Sequence, residues 1–139
     1  MTATTKNFNK IDIGPFGDFS KENENSATKK FYKEVLELTG MEFSITAIPS
    51  GGAAPFFHSH KQNEELYVVL EGRGQIQLDG ELIDIKEGSM INVLPSVSRA
   101  LRAAKDSQLV YLCVQAKSNS LEQYTKGDGV RHDDDGWKN

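Results

Sequence analysis

The chain has 139 residues, with 16 basic and 20 acidic side chains and a net charge of −4. That length suggests one domain able to bury roughly two-thirds of the surface its unfolded chain exposes, without disulfide staples. No basic run stands out, which argues against nucleic acid as a partner. The single cysteine, Cys113, excludes an intrachain disulfide. The first ten residues, MTATTKNFNK, lack the apolar core of a leader. The longest apolar run is far short of the ~20 residues a membrane span needs. The default expectation is a soluble cytoplasmic protein with no membrane partner.

Three zones follow in chain order. Residues 1–40 form an N-terminal extension. GPFGDFSKENENS is rich in Gly, Asn and charge and reads as loop. SATKKFYKEVLELTG then predicts a helix: Ala27, Phe31, Val35 and Leu38 recur at three-to-four spacing, Asn25 or Ser26 can cap the start, and Gly40 sits past the end. Residues 41–116 are a series of short strands. MEFSITAI and GQIQL alternate, LYVVL is apolar on both faces, and LDGEL carries the Asp-Gly hairpin signal. ELIDI, MINVL, RALRA and QLVYLCVQA complete the set, with Pro95 ending one of them. Strands at this spacing with no helix between them predict an all-β antiparallel sandwich or barrel. Residues 117–139 are a polar tail, and HDDDG within it reads as a solvated acidic run.

The chemistry concentrates in PFFHSHKQNEELYVVLEGRG. On an extended backbone His58 and His60 point the same way, so two imidazoles can share a cation. A third ligand can come from the next strand, expected to pair back across KQN. Glu65 and Glu64 have opposite parity, so only one of them faces the histidines. If Glu65 points inward, so do Tyr67 and Val69, while Leu66, Val68 and Leu70 cover the outer face.

Gly52, His58, His60, Glu65 and Gly72 fit the first motif of the cupin superfamily: Gly, five residues, His-x-His, four residues, Glu, six residues, Gly. The chain resembles a small single-domain cupin over roughly residues 41–116. The resemblance implies a cupin-type β-barrel (a jelly roll, or double-stranded β-helix), here with one N-terminal α-helix. It implies a divalent metal (Fe, Zn, Ni or Mn) on His58, His60 and Glu65, and it favours Glu65 over Glu64. It also implies a homodimer, which the apolar outer face of LYVVL suits. Isomerases, dioxygenases and decarboxylases occur on this barrel, and so do sensing modules, so the fold does not choose a reaction.

The second motif departs from the family. GSMINVLPSVSRALRAA supplies Gly88, a strand and Pro95, but Arg99 stands where the family's fourth metal ligand, a histidine, belongs. His132 lies in the tail and is a poor substitute. Arginine has no free lone pair and stays protonated. At ~5 Å and an effective dielectric near 20 its charge opposes a bare divalent ion by about 6.6 kcal/mol, and by about 3.3 kcal/mol once Glu65 is counted.

Three arrangements stay open. In one, the metal sits on His58, His60 and Glu65 alone, an arrangement suited to iron(II), and Arg99 grips the carboxylate or phosphate of an anionic small molecule. In another, Arg99 pairs with Glu65 or Glu64, no metal binds, and the pocket is a metal-free ligand-binding or sensing site. In the last, Arg99 points outward and Gln115, Gln75 or Gln77 helps. Tyr67, Phe56 and Phe57 are expected to line the barrel and its mouth, and Arg99, Tyr67, Gln115 and Phe57 to contact the ligand. Arg102, of opposite parity to Arg99, is expected at the surface. Cys113 is read as an apolar core residue rather than a nucleophile.

Overall fold

The computed structural model describes residues 7–22 and 25–139. The leader reading of the first residues therefore falls partly outside the described residues.

The expected helix over SATKKFYKEVLELTG shrinks to one turn. Thr28–Phe31 is instead strand β1, followed by the single-turn helix α1 (Lys33–Leu36). The reason is tertiary. Strand β2 (Glu42–Ile48) offers a free edge, and β1 pairs with it antiparallel, Thr28 opposite Ala47 and Phe31 opposite Ser44. A ladder of backbone hydrogen bonds outweighs a weak local helix preference. The predicted apolar stripe is correspondingly not buried: Phe31 and Val35 are exposed, while Tyr32 is buried and stacks on Phe43 with ring centroids 5.3 Å apart. The Gly-rich loop before it holds a 3-10 segment, Phe16–Glu22, which buries Phe19.

The strands otherwise follow the predicted order: β3 (Asn63–Leu78), β4 (Glu81–Lys86), β5 (Met90–Val93), β6 (Arg99–Ala103) and β7 (Leu109–Lys117). LYVVL and GQIQL are one 16-residue strand, β3. Its first half pairs with β7 and β5, and its second half with β4 and β6. The strand thus passes from one sheet to the other. The passage is marked by a register shift between Val69 and Glu71 and by Gly72 at φ +80°. A bulge with a positive-φ glycine is the usual way to turn such a corner. Asp79 and Gly80 both have positive φ, as a two-residue type I′ hairpin requires.

Alternation sets the faces. Tyr67, Val69, Ile76, Leu101, Tyr111 and Cys113 point into the barrel and form one buried cluster. Ile45, Ala47 and Val110 point the other way and are covered by Phe19 and Tyr32 of the N-terminal extension. The extension therefore acts as a lid over part of one outer face. The rest of that face is open: Leu66 is 41% and Met90 71% exposed. Residues from 118 onward are mostly exposed, with one helical turn, α2 (Thr125–Asp128). Among the described residues, no helix is long and apolar enough to cross a membrane.

Candidate metal centre

The histidine segment does not form the expected hairpin with β3. It lies along β6 instead. His58 and Arg99 exchange both backbone bonds, His58 N donating to Arg99 O at 3.1 Å and Arg99 N to His58 O at 2.9 Å. His60 N then donates to Pro95 O at 2.8 Å. Residues directly opposite on an antiparallel ladder project to the same side. This is why Arg99, some forty residues downstream, shares the barrel interior with His58.

Glu65 is the inward glutamate, only 4% exposed, whereas its neighbour Glu64 is half-buried. Five groups converge on its carboxylate. Tyr67 Oη donates to Oε1 at 2.6 Å and Arg99 Nη1 to Oε1 at 2.5 Å. Cys113 Sγ donates to Oε2 at 3.2 Å. His60 Nε2 lies 3.2 Å from Oε2, and His58 Nε2 3.7 Å from Oε1. Burial alone would raise the Glu65 pKa, but hydrogen bonds from Tyr67, Cys113 and Arg99 outweigh it and hold the group below the ordinary range. Burial, then the Cys113 and Glu65 contacts, push the Tyr67 phenol upward. Burial, then Glu65, does the same to the Cys113 thiol, so both stay protonated donors. Burial lowers the His58 pKa despite the opposing pull of Glu65, which keeps its imidazole neutral and able to ligate.

Arg99 does not point outward. Its side chain has 0% exposure. Besides Glu65, its Nε donates to Val97 O at 2.9 Å and its Nη2 to Leu94 O at 2.8 Å and Pro95 O at 3.2 Å. The pairing with Glu65 is thus the one Arg99 makes, and its charge and most of its donors are committed inside the barrel.

The other expected contacts divide. Tyr67 is at the centre. Gln115 stands opposite Glu65 in register, half-buried, and its Oε1 accepts from Asn63 Nδ2 at 2.9 Å. Phe57 is not with the histidines. It lines a recess over the outer face of β3 and β6 with Gln75, Gln77 and Arg102, because one residue of alternation turns it away from His58. Phe56 keeps the parity of His58 and meets its ring edge-on at 6.3 Å. Arg102 is exposed and bonds Gln75, as expected. Cys113 is buried as expected, yet it is a donor to the site rather than a bystander. Asn63 was legible too: it lies two residues before Glu65, hence on its face.

A divalent ion fits this donor set. Ligand atoms of His58, His60 and Glu65 lie within 4.8 Å of one another. Nitrogen and oxygen ligands sit about 2.0–2.2 Å from such an ion, so opposed ligands stand about 4.4 Å apart, and small shifts suffice. His60 Nε2 is buried with no hydrogen-bond partner. An orphaned buried nitrogen is rare without an occupant to explain it. His58 and His60 remain partly exposed, at 35% and 25%, and a recess of about 400 Å³ lined by Ser59, His60, Lys61, Gln62 and Asn63 opens beside them. A larger cavity, about 580 Å³, lies elsewhere, between Arg73, Gln75, Asp84 and Lys86 on the sheet of β3, β4 and β6.

Comparisons with known proteins agree with this fold. Residues 44–115 match the cupin domain model. A crystallised cupin protein from Bacteroides fragilis is 39% identical over 92% of this chain and 99% of its own, with a TM-score of 0.81. A predicted oxalate decarboxylase from Thermotoga maritima is 22% identical over 66% of this chain and 80% of its own, with a TM-score of 0.58, and shows the fold alone. An uncharacterised protein of Methanocaldococcus jannaschii is 34% identical over 67 residues, 48% of this chain. The chain spans about half, 54%, of that relative's length. From motif, barrel and comparison together, the chain belongs to the cupin family.

Proposed function

We propose that the chain is a cupin that holds a divalent metal ion on His58, His60 and Glu65 and offers the ion's open positions to a small anionic molecule. The observation that carries this reading is the buried His60 Nε2, which makes no hydrogen bond although Glu65 Oε2 faces it at 3.2 Å. Two neutral imidazoles and a carboxylate are the donor set of a facial site with open positions. The bound ion would supply Lewis acidity at those positions. Tyr67 and Cys113 fix the carboxylate's orientation, as partners of metal ligands commonly do. Gln115 and Asn63, on the face of Glu65, would bond what enters. The likeness to a predicted decarboxylase brings a fold and no reaction, so catalysis of isomerase or dioxygenase type stays unassigned to this chain.

A second reading, a metal-free binding or sensing site, is favoured by the Arg99–Glu65 contact, which already answers the carboxylate's charge. Metal content separates the two. Under the first reading, protein stripped with chelator and dialysed against Co²⁺ or Zn²⁺ retains about one ion per chain, and His60→Ala lowers affinity by roughly 100-fold or more, removing one of three protein ligands. Retention below a tenth of an ion per chain would leave only the metal-free reading.

We further propose a homodimer through the open part of the outer face. Leu66, Val68 and Met90 are neighbours there on β3 and β5, and Val114 adjoins Leu66 on β7. An exposed apolar patch of this kind marks an interaction surface. Leu66→Asp with Met90→Asp, both surface changes, should convert a dimer to a monomer in light scattering at micromolar concentration while leaving the circular dichroism unchanged. A wild type that is monomeric at 100 μM would end this proposal.

A further inference from the structure

We propose that the site takes its divalent cation and a small oxyanion as a pair, and that Arg99 enforces the pairing through its charge without touching the anion. The inference rests on the metal reading above.

The argument is a charge balance. Arg99 is fully buried, permanently protonated, and pinned by three backbone carbonyls as well as Glu65. Glu65 balances it, so the pair is neutral. A divalent ion on His58, His60 and Glu65 adds two positive charges, because histidine ligands are neutral. No second inward carboxylate among the described residues can answer them. Among the described residues, the buried polar and charged side chains are Ser44, Thr46, Glu65 and Arg99. Glu64 has the other parity, and Glu42 Oε1 accepts from the backbone of Lys33 and Phe43. Uncompensated charge away from water is strongly disfavoured.

Compensation must therefore come from solvent. The way in is the recess beside His60, whose edge carries Lys61 and Asn63. An oxyanion entering there reaches the metal's open positions. Arg99 has no exposed surface and does not line that recess, so its effect on the anion is electrostatic. A carboxylate halves the excess charge, and a dianion such as sulfate removes it. The coupling is reciprocal: whatever factor the anion contributes to metal affinity, the metal contributes to anion affinity. Couplings of this kind commonly run about 5–150-fold.

The test is calorimetric titration of the metal-free full chain with Co²⁺ at one pH and one ionic strength, in sodium perchlorate, acetate or sulfate, corrected for metal–anion association in solution. Perchlorate scarcely coordinates metals. The expected result is Co²⁺ affinity at least tenfold tighter in sulfate than in perchlorate, with acetate between, and no sulfate binding without the metal. Arg99→Lys should keep the coupling, and Arg99→Met should reduce it below twofold. If the methionine variant fails to fold, the wild-type comparison among salts decides alone. Equal Co²⁺ affinity in all three salts, or equally tight sulfate binding without Co²⁺, overturns the inference and leaves the metal reading standing. Absence of Co²⁺ binding in every salt overturns both.

Discussion

Replacing Arg99 with methionine lowers the unfolding free energy of the metal-free protein by about 3–5 kcal/mol, the usual consequence of removing one partner of a buried ion pair. Both partners are sealed from solvent, at 0% and 4% exposure, so water cannot take over the lost contact. Methionine matches the length and hydrophobicity of the arginine stem, so cavity formation contributes little. The loss comes from Glu65, left as a carboxylate with only Tyr67 and Cys113 to donate to it. The carbonyls of Leu94, Pro95 and Val97 each lose one donor as well, although Leu94 O keeps Val97 N and Pro95 O keeps His60 N, so this adds only modestly to the loss. The corresponding double variant with Glu65→Gln should recover at least half of it, because the amide carries no charge to bury. Urea unfolding with an unchanged m-value is the measurement. A single-variant loss under about 1 kcal/mol would mean that the pair does not carry its charges in the folded protein.

The second large effect lies at Gly72, the last residue of the first motif. Alanine there should destabilise the protein by roughly 3 kcal/mol or more. Two causes combine. The backbone has φ +80°, where a Cβ costs about 1–2 kcal/mol. A Cβ at this position would also fall inside the backbone carbonyl of Gln108, which cannot rotate away as a side chain could. Gly72 pairs with Leu109, so the clash parts β3 from β7 where β3 changes sheets. Gly88→Ala is the internal control. Its φ is +88°, yet a Cβ there meets nothing within 4 Å. It should cost only the strain, about 1–2 kcal/mol. Equal losses at the two positions in the same denaturation assay would refute the steric account.

Alternation made much of the barrel legible. Glu65, Tyr67 and Val69 share one face and Leu66 takes the other because side chains on a strand alternate, and the motif resemblance chose the first face as the inward one. The same rule pairs Phe56 with His58 and turns Phe57 away, a parity that points against grouping Phe57 with the ligand-binding residues. The helix expected over 26–39 failed for a different reason. Its apolar spacing is compatible with one amphipathic turn after another, but the free edge of β2 captured Thr28–Phe31 first. Local pattern cannot register a hydrogen-bonding edge formed by residues further along the chain.

By itself, the sequence determined the series of strands and the opposite faces of Glu64 and Glu65 through local spacing and parity, and its resemblance to the cupin motif supplied the barrel, the inward glutamate and the three residues that can hold a metal. Only the tertiary structure decided what Arg99 does. The motif showed that it replaces a histidine and left three arrangements open. The antiparallel pairing of His58 with Arg99 brings the arginine inside, and three carbonyls and Glu65 hold it there. That outcome depends on long-range register and on which donors find acceptors in a closed space. No window of neighbouring residues contains either.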